Sequence, residues 1–589
     1  MVDLLPNTFK MLTFDNMMLK LDEALTNILG DWDIYSTSIA AAILVFFAYQ
    51  VFTRRDPDAH PMLLERQAHA SAVRYPGESA VYRSQSSPHG MELNTGLGVR
   101  DPGISKWARG RDGDLRDIWR RVVDGPIDES GKPKRGKGRL LTVLGSEQVI
   151  EHNLGLCCID LYRGMPTPNA NCSSDEISRQ ISIIGMHINQ QGGSRVAIYL
   201  PNSIEFITAL FACTFYGLTP ILLSYDQHSS TIISMLKQSN ADTLIAAVGS
   251  LPFDAVTKEY PALRQLIWIV DEGSRHMDWD EVPKGTGGAI NVSTWQEIIE
   301  DHKSSIADLP KSDPSNKPTN LGAFWQFKQG DADQFVEYTQ PNLVSAISAQ
   351  ISAIPVTQRM SPSDLFLPID SLSTVYPLVM TLAALYSNSS LALHSVAGRN
   401  ANLEAATQGI APTIIVASAS TLSKAHQEVS VRMASPVLKA VHWSQTRSLT
   451  QDGVMPVASM FTRLNDSMRP AIGTTPGKLR IMFVSEQVGG DSPALSSLDL
   501  SDLRVFTGAR VVYALTAAKV AGAVAQTSFY DYRVANDAGK HSHFGPPLSC
   551  VEVLLRDTKD HKSTDDLAVG EVCSSFLEAA LLLIRGRLS

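Results

Sequence analysis

Isoleucines at 177, 181, 184 and 188 lie three or four apart in SSDEISRQISIIGMHINQQ, residues 173–191. That spacing predicts one apolar helix face, with Ser174 and Asp175 as cap residues. SRVAIYLP, residues 194–201, then reads as a strand ended by proline. The next segment, SIEFITALFACTFYGLTPILL, predicts a helix with a glycine near its end, followed by a β-rich run. Short apolar runs recur as ADTLIAAV, LRQLIWIV, SLALHSV, PTIIVASA, KLRIMFVS and ARVVYALT. Strands alternating with helices predict an α/β fold with mostly parallel sheets covered on both faces.

Upstream the pattern changes. Residues 34–52, IYSTSIAAAILVFFAYQVF, contain no charged side chain. At 1.5 Å per residue they reach roughly 28 Å, close to the hydrocarbon thickness of a bilayer, which predicts a transmembrane helix. The preceding residues 1–33 carry six acidic against two basic side chains and lack the cationic start of a signal peptide, so an extramembrane, uncleaved segment is expected. Arg54 and Arg55 follow directly, and positive charge on that side places the C-terminal body in the cytosol. Residues 53–150 are rich in Arg, Gly, Asp and Ser with one short amphipathic stretch, LRDIWRRVVDG, and read as a juxtamembrane connector. The α/β body is expected over residues 151–589.

Composition narrows the classes. At 44% hydrophobic residues, 589 residues can bury more than one core. A formal charge of −9 argues against nucleic acid as a partner, and the basic run KPKRGKGR at 132–139 reads as a solvated loop. Six cysteines form neither a zinc spacing nor a disulfide framework, as expected of a reducing compartment. No G-x-S-x-G or H-E-x-x-H motif occurs, the histidines show no ligand spacing, and the glycine-rich KGTGGA does not follow a clear strand. No metal site is expected.

The order of four blocks resembles the AMP-forming adenylating enzymes, in particular the long-chain acyl-CoA synthetases. SRVAIYLPNSIEFITALFACTFYGLTPILLSYD is similar to their early helix and strand block, and KLRIMFVSEQVGGD to the strand before the substrate pocket. VVYALT with AGAVAQT resembles the strand and turn that hold adenine, and HFGPPLSCVEVLLRD resembles a hairpin of the family. The resemblance implies stacked mixed sheets flanked by helices, with a small β subdomain near the end. It also implies a reaction in which a fatty acid carboxylate attacks the α-phosphorus of ATP and coenzyme A then displaces AMP. Such chemistry needs Mg²⁺, backbone N–H donors and a lysine around the phosphates.

Those parts have been rewritten here. Aligned on Asn342-Leu343, the family's glycine-rich, lysine-ending phosphate loop falls on WQFKQGDADQF, residues 325–335. Lys328 and Gly330 are its cation and its glycine; Asp331 and Asp333 bring negative charge, Gln334 takes the lysine position, and Thr339 keeps half of a Thr-His pair. Where the family reads Tyr-Gly-x-Thr-Glu, this chain has Tyr513, Ala514, Leu515, Thr516 and Ala517, so the Mg²⁺-holding glutamate is replaced by a methyl group. The histidine of a Pro-Leu-Ala-His quartet falls near Ser373 or Thr374. The sequence ends near the point where the family's ribose-binding motif and C-terminal lid domain begin, so the lid is expected to be absent.

The expectation is a membrane-anchored pseudoenzyme of lipid metabolism with no catalytic residue and no cofactor, serving as a lipid-binding body or scaffold. Its partners would be the membrane, a fatty acyl chain or acyl-CoA, and a protein. The endoplasmic reticulum is the expected location, with mitochondrial outer membrane or peroxisome as alternatives. The competing reading is an active long-chain fatty acid–CoA ligase using ATP, Mg²⁺ and CoA at an unorthodox site.

Overall fold

The computed structural model describes residues 26, 30, 33–53, 55–100, 107–125, 139–144, 148–153, 174–225, 227–270, 290–302, 309–310, 318–327, 333–394, 401–433, 435–456, 472–473, 478–490, 494–534, 542–559, 562–564, 571–576 and 582–585. The chain divides into two compact units, residues 1–57 and 58–589.

In the first unit, helix α1 (Ile34–Thr53) forms where the uncharged run predicts it. The transmembrane assignment does not follow: among the described residues, no helix is long and apolar enough to cross a membrane. The uninterrupted apolar run is the ten residues from Ile39 to Ala48, which rise only about 15 Å, because Tyr35, Ser36, Thr37 and Ser38 occupy the first turn.

The second unit is built on three sheets. In the seven-stranded sheet, strands 219–222, 195–199, 243–247, 265–269 and 291–294 run parallel. One edge of that sheet is a hairpin of β1 (Leu321–Trp325) and β2 (Gln334–Tyr338). The eight-stranded sheet is parallel through β3 (Leu365–Pro368), β4 (Ile414–Ser418), β5 (Ile481–Gln487) and β6 (Arg510–Thr516). A hairpin of strands 139–144 and 148–153 extends its other edge through strand Ser390–His394. A smaller antiparallel sheet joins strands 68–70, 82–84, 551–556, 571–576 and 582–585.

The main core lies between the two large sheets, where Val196, Leu222 and Ala323 of one face Phe366, Val416 and Phe483 of the other. Helices α2 (Leu115–Asp124), α3 (Ser174–Gln190), α4 (Ile204–Tyr216), α5 (Gln340–Ala353) and α6 (Val375–Tyr386) fill it. Ser174 and Asp175 are first-turn residues of α3 rather than its caps. Helix α4 needs no stripe because it is covered all round, and Gly217 ends it at φ 70°, a left-handed cap that releases the chain into strand 219–222.

The connector reading of residues 53–150 is corrected at α2. Leu115, Ile118, Trp119 and Val122 are buried in the main core, and Trp119 meets Phe211 of α4 at a ring distance of 5.0 Å. Asp114 and Asp117 form a reciprocal capping box at the start of α2. Charges at its start are paired as well, since Arg116 bonds Asp114 and Arg111 bonds Asp117. An Arg-rich stretch therefore looks like linker in composition while its one apolar face makes it part of the body.

Candidate functional site

The turn after β5, the turn after β6 and the β1–β2 hairpin converge at one end of the sheets. Phe327, leaving β1, packs 3.3 Å from the position a Cβ would take on Gly489, whose φ of 78° turns the chain after β5. The Tyr338 hydroxyl at the end of β2 donates to the Ala518 carbonyl after β6. Val488 N–H donates to the Thr516 carbonyl at 3.0 Å, closing the two turns on each other.

Of the expected phosphate-loop positions, Lys328, Gly330 and Asp331 lie outside the described residues. Asp333 is half-buried at the foot of the hairpin. Gln334, the lysine position, is not in the loop: it is the first residue of β2 and pairs with Trp325. Phe335 beside it packs on Phe324 at 5.2 Å and lies under the Arg195 guanidinium at 5.9 Å. Thr339 accepts the Asn342 N–H at 3.4 Å and so caps α5. Gln340 accepts the Leu115 N–H and donates to the Thr319 carbonyl, so the surviving half of the Thr-His pair and its neighbour hold the fold together.

The adenine-motif positions are also engaged. Tyr513 is fully buried, its ring stacked on Phe544 at 4.7 Å with an interplanar angle of 26°. Its hydroxyl donates to Glu486 Oε2 at 3.0 Å and accepts the Leu495 N–H at 3.2 Å. Thr516 Oγ1 donates to the Glu486 carbonyl at 2.9 Å, and Ala517 is buried. Burial pushes the Glu486 carboxyl up to about 7, although the Tyr513 hydroxyl pulls it back.

A second buried acid sits at the carboxyl ends of the same strands. Asp370, just past β3, is pushed up to about 7 by burial, with Ser418 at the end of β4 opposing the shift through its hydroxyl and N–H. Asp370 Oδ1 has no partner among the described residues. Its carbonyl accepts from Asn202 Nδ2 while Asn202 Oδ1 accepts the Leu372 N–H, which fixes the loop that carries Ser373 and Thr374. Ser373 is buried with its N–H on Ser371 Oγ, and Thr374 precedes α6 without a side-chain cap. Carboxyl ends of parallel strands are the ordinary ligand side of such sheets. Glu486, Asp370 and Phe544 were not singled out from sequence; only strand register puts the two acids there, on opposite faces of the sheet.

Among the described residues no group of His, Cys, Asp and Glu is placed to hold a metal ion. At the motif carboxylate's position stands Ala517, and the turn after β6 carries one exposed cation, Lys519.

The fold resembles that of adenylating, AMP-forming ligases. The family model of AMP-binding enzymes matches residues 175–319. Several hundred solved chains match the fold. One is the anthranilate CoA ligase AuaEII in complex with anthranoyl-AMP, at 13% identity and TM-score 0.50, covering 80% of this chain and 70% of that one. Another is the adenylation domain of a carboxylate reductase from Mycobacterium chelonae, at 14% and 0.51, covering 82% and 66%. A third is the corresponding domain of a carboxylic acid reductase from Segniliparus rugosus, in complex with AMP and a co-purified carboxylic acid, at 14% and 0.50, covering 79% and 67%. No curated protein matches the chain. Residues 175–319 thus match the AMP-binding enzymes, and the chain shares its fold with AMP-forming adenylating ligases.

Proposed function

We propose that this chain is a noncatalytic, long-chain acyl-CoA-synthetase-like body, attached to a membrane, that holds an acyl chain or carboxylic acid without activating it. Tyr513 carries the reading. The aromatic face offered to adenine in the resembled motif is stacked on Phe544, and the hydroxyl is held by buried Glu486. A nucleotide entering there would have to displace an internal aromatic pair and a hydrogen bond to a carboxyl that burial pushes up to about 7. Asp331 and Asp333 would add repulsion of on the order of 1 kcal/mol each toward a tetra-anionic ligand.

The acyl part is supported by fold relatives that bind anthranoyl-AMP or a carboxylic acid, and by a core in which apolar helices separate the two sheets. The membrane part is supported by α1, where Ile34, Ile39, Leu44 and Val45 are 77%, 61%, 70% and 65% exposed. Equilibrium binding of ATP and of a fluorescent long-chain fatty acid to the purified chain tests the proposal. It expects ATP affinity of millimolar order or weaker and saturable fatty acid binding. Micromolar ATP binding would favour the active ligase with an unorthodox ATP site.

A further inference from the structure

One helix of the body leaves most of its surface uncovered. Helix α7 (Ala419–Arg432) precedes α8 (Pro436–Gln451), which packs on α9 (Ser497–Thr507). Only Leu449 of α8 is buried. Its covered face is fixed by His442, whose Nε2 bonds Asp502 Oδ1 at 2.8 Å and whose ring stacks on Phe506 at 4.9 Å. The orientation of the opposite face is thereby set.

That opposite face holds Pro436, Val437, Lys439, Ala440, Trp443 and Arg447, all exposed. At 100° per residue the exposed positions of α8 cover an arc of roughly 160°. Lys439, Trp443 and Arg447 are four apart and form one straight stripe, with the Arg447 guanidinium 5.4 Å over the indole. Trp443 is 62% exposed, Val437 60%, and Val431 near the end of α7 83%. No acidic residue occurs anywhere in α8; the nearest in sequence are Glu428, which lines a cavity beside α7 with Lys424, and Asp452 just past the helix end.

We infer that this ridge docks on an anionic lipid surface. Cations flanking a tryptophan suit the headgroup layer, where the indole sits at the interface and Lys and Arg meet phosphates. The ridge is convex, so it fits a deformable plane better than a peptide, which binds in grooves. This extends the membrane reading given for α1, and the test separates the two, because attachment by an uncharged helix does not depend on lipid charge.

The full chain is mixed with vesicles of phosphatidylcholine alone or with phosphatidylserine, and bound protein is measured by flotation. Wild type should prefer the anionic vesicles by roughly tenfold or more, and added salt should reduce the preference. Lys439→Glu/Arg447→Glu should bring the ratio close to one while the thermal midpoint stays unchanged, and Trp443→Ala should weaken binding to anionic vesicles. Loss of binding to uncharged vesicles with the anionic preference intact would count against α1 and leave the ridge supported. An anionic preference that survives the double charge reversal overturns the proposal. So does a wild type that ignores anionic vesicles while its ridge binds polyglutamate, which would make the partner an acidic protein segment.

Discussion

Glu486 and Asp370 show what a residue-level reading gains from the fold. In the sequence one sits in FVSEQV and the other in LPIDSL, with nothing to mark either as special. Burial at the ends of β5 and β3 pushes each carboxyl up to about 7. Both groups keep their protons in the folded state at pH values where the unfolded chain releases them. Stability therefore falls as pH rises from about 4 to about 7, the window between the ordinary carboxyl value and the raised one. Asp370→Asn removes that liability. Its thermal midpoint relative to wild type should rise between pH 5 and pH 8, by up to about 3 kcal/mol in stability, since only the part of the window from pH 5 to about 7 contributes. A difference that is flat with pH would show that Asp370 ionises normally. Thr339, Tyr513 and Thr516 were legible as positions, but their partners were not: a cap, a stacked Phe544 and a backbone carbonyl are fixed by tertiary contacts.

At the scale of elements, strand and helix periodicity located most of the body. The predicted strands at 195–199, 243–247, 265–269, 390–394, 414–418, 481–487 and 510–516 all form. The β1–β2 hairpin was not read as such, because WQFKQGDADQF was aligned as a loop while its last two residues open a strand. Gly322 of β1 lets the two strands close: a Cβ there would lie 2.8 Å from the Phe335 ring and 3.3 Å from Ile221. Gly322→Ala should cost about 1–3 kcal/mol, measured by urea unfolding, since a rigid ring and a packed strand must shift. Helix α2 was legible as amphipathic, yet its Arg-rich surroundings hid its destination. Trp119 is 1% exposed and its indole N–H donates to Ser178 Oγ at 3.0 Å. Trp119→Ala should lose about 3–5 kcal/mol of stability of the whole body, an effect that a flexible connector would not transmit.

At the scale of the molecule, orientation and chemistry are the two open quantities, and the chain carries a reporter for the first. Asn291 and Asn388 each begin an N-x-S/T triplet, as do Asn171 and Asn465, which lie outside the described residues. Asn388 is buried in a left-handed turn at φ 56°, so it is silent in the folded protein, whereas Asn291 is exposed on an edge strand. A body facing the cytosol predicts no glycan at Asn291 and no glycosidase-sensitive mobility shift; such a shift, abolished by Asn291→Gln, would reverse the orientation. The chemistry is decided by one assay. ATP–pyrophosphate exchange, measured with the full chain, Mg²⁺ and a panel of short-chain, long-chain and aromatic carboxylic acids, should give no signal above the protein-free blank for any acid. Exchange that depends on a particular acid and is lost on replacing Lys328 or Tyr513 would contradict the account and establish a working adenylating site.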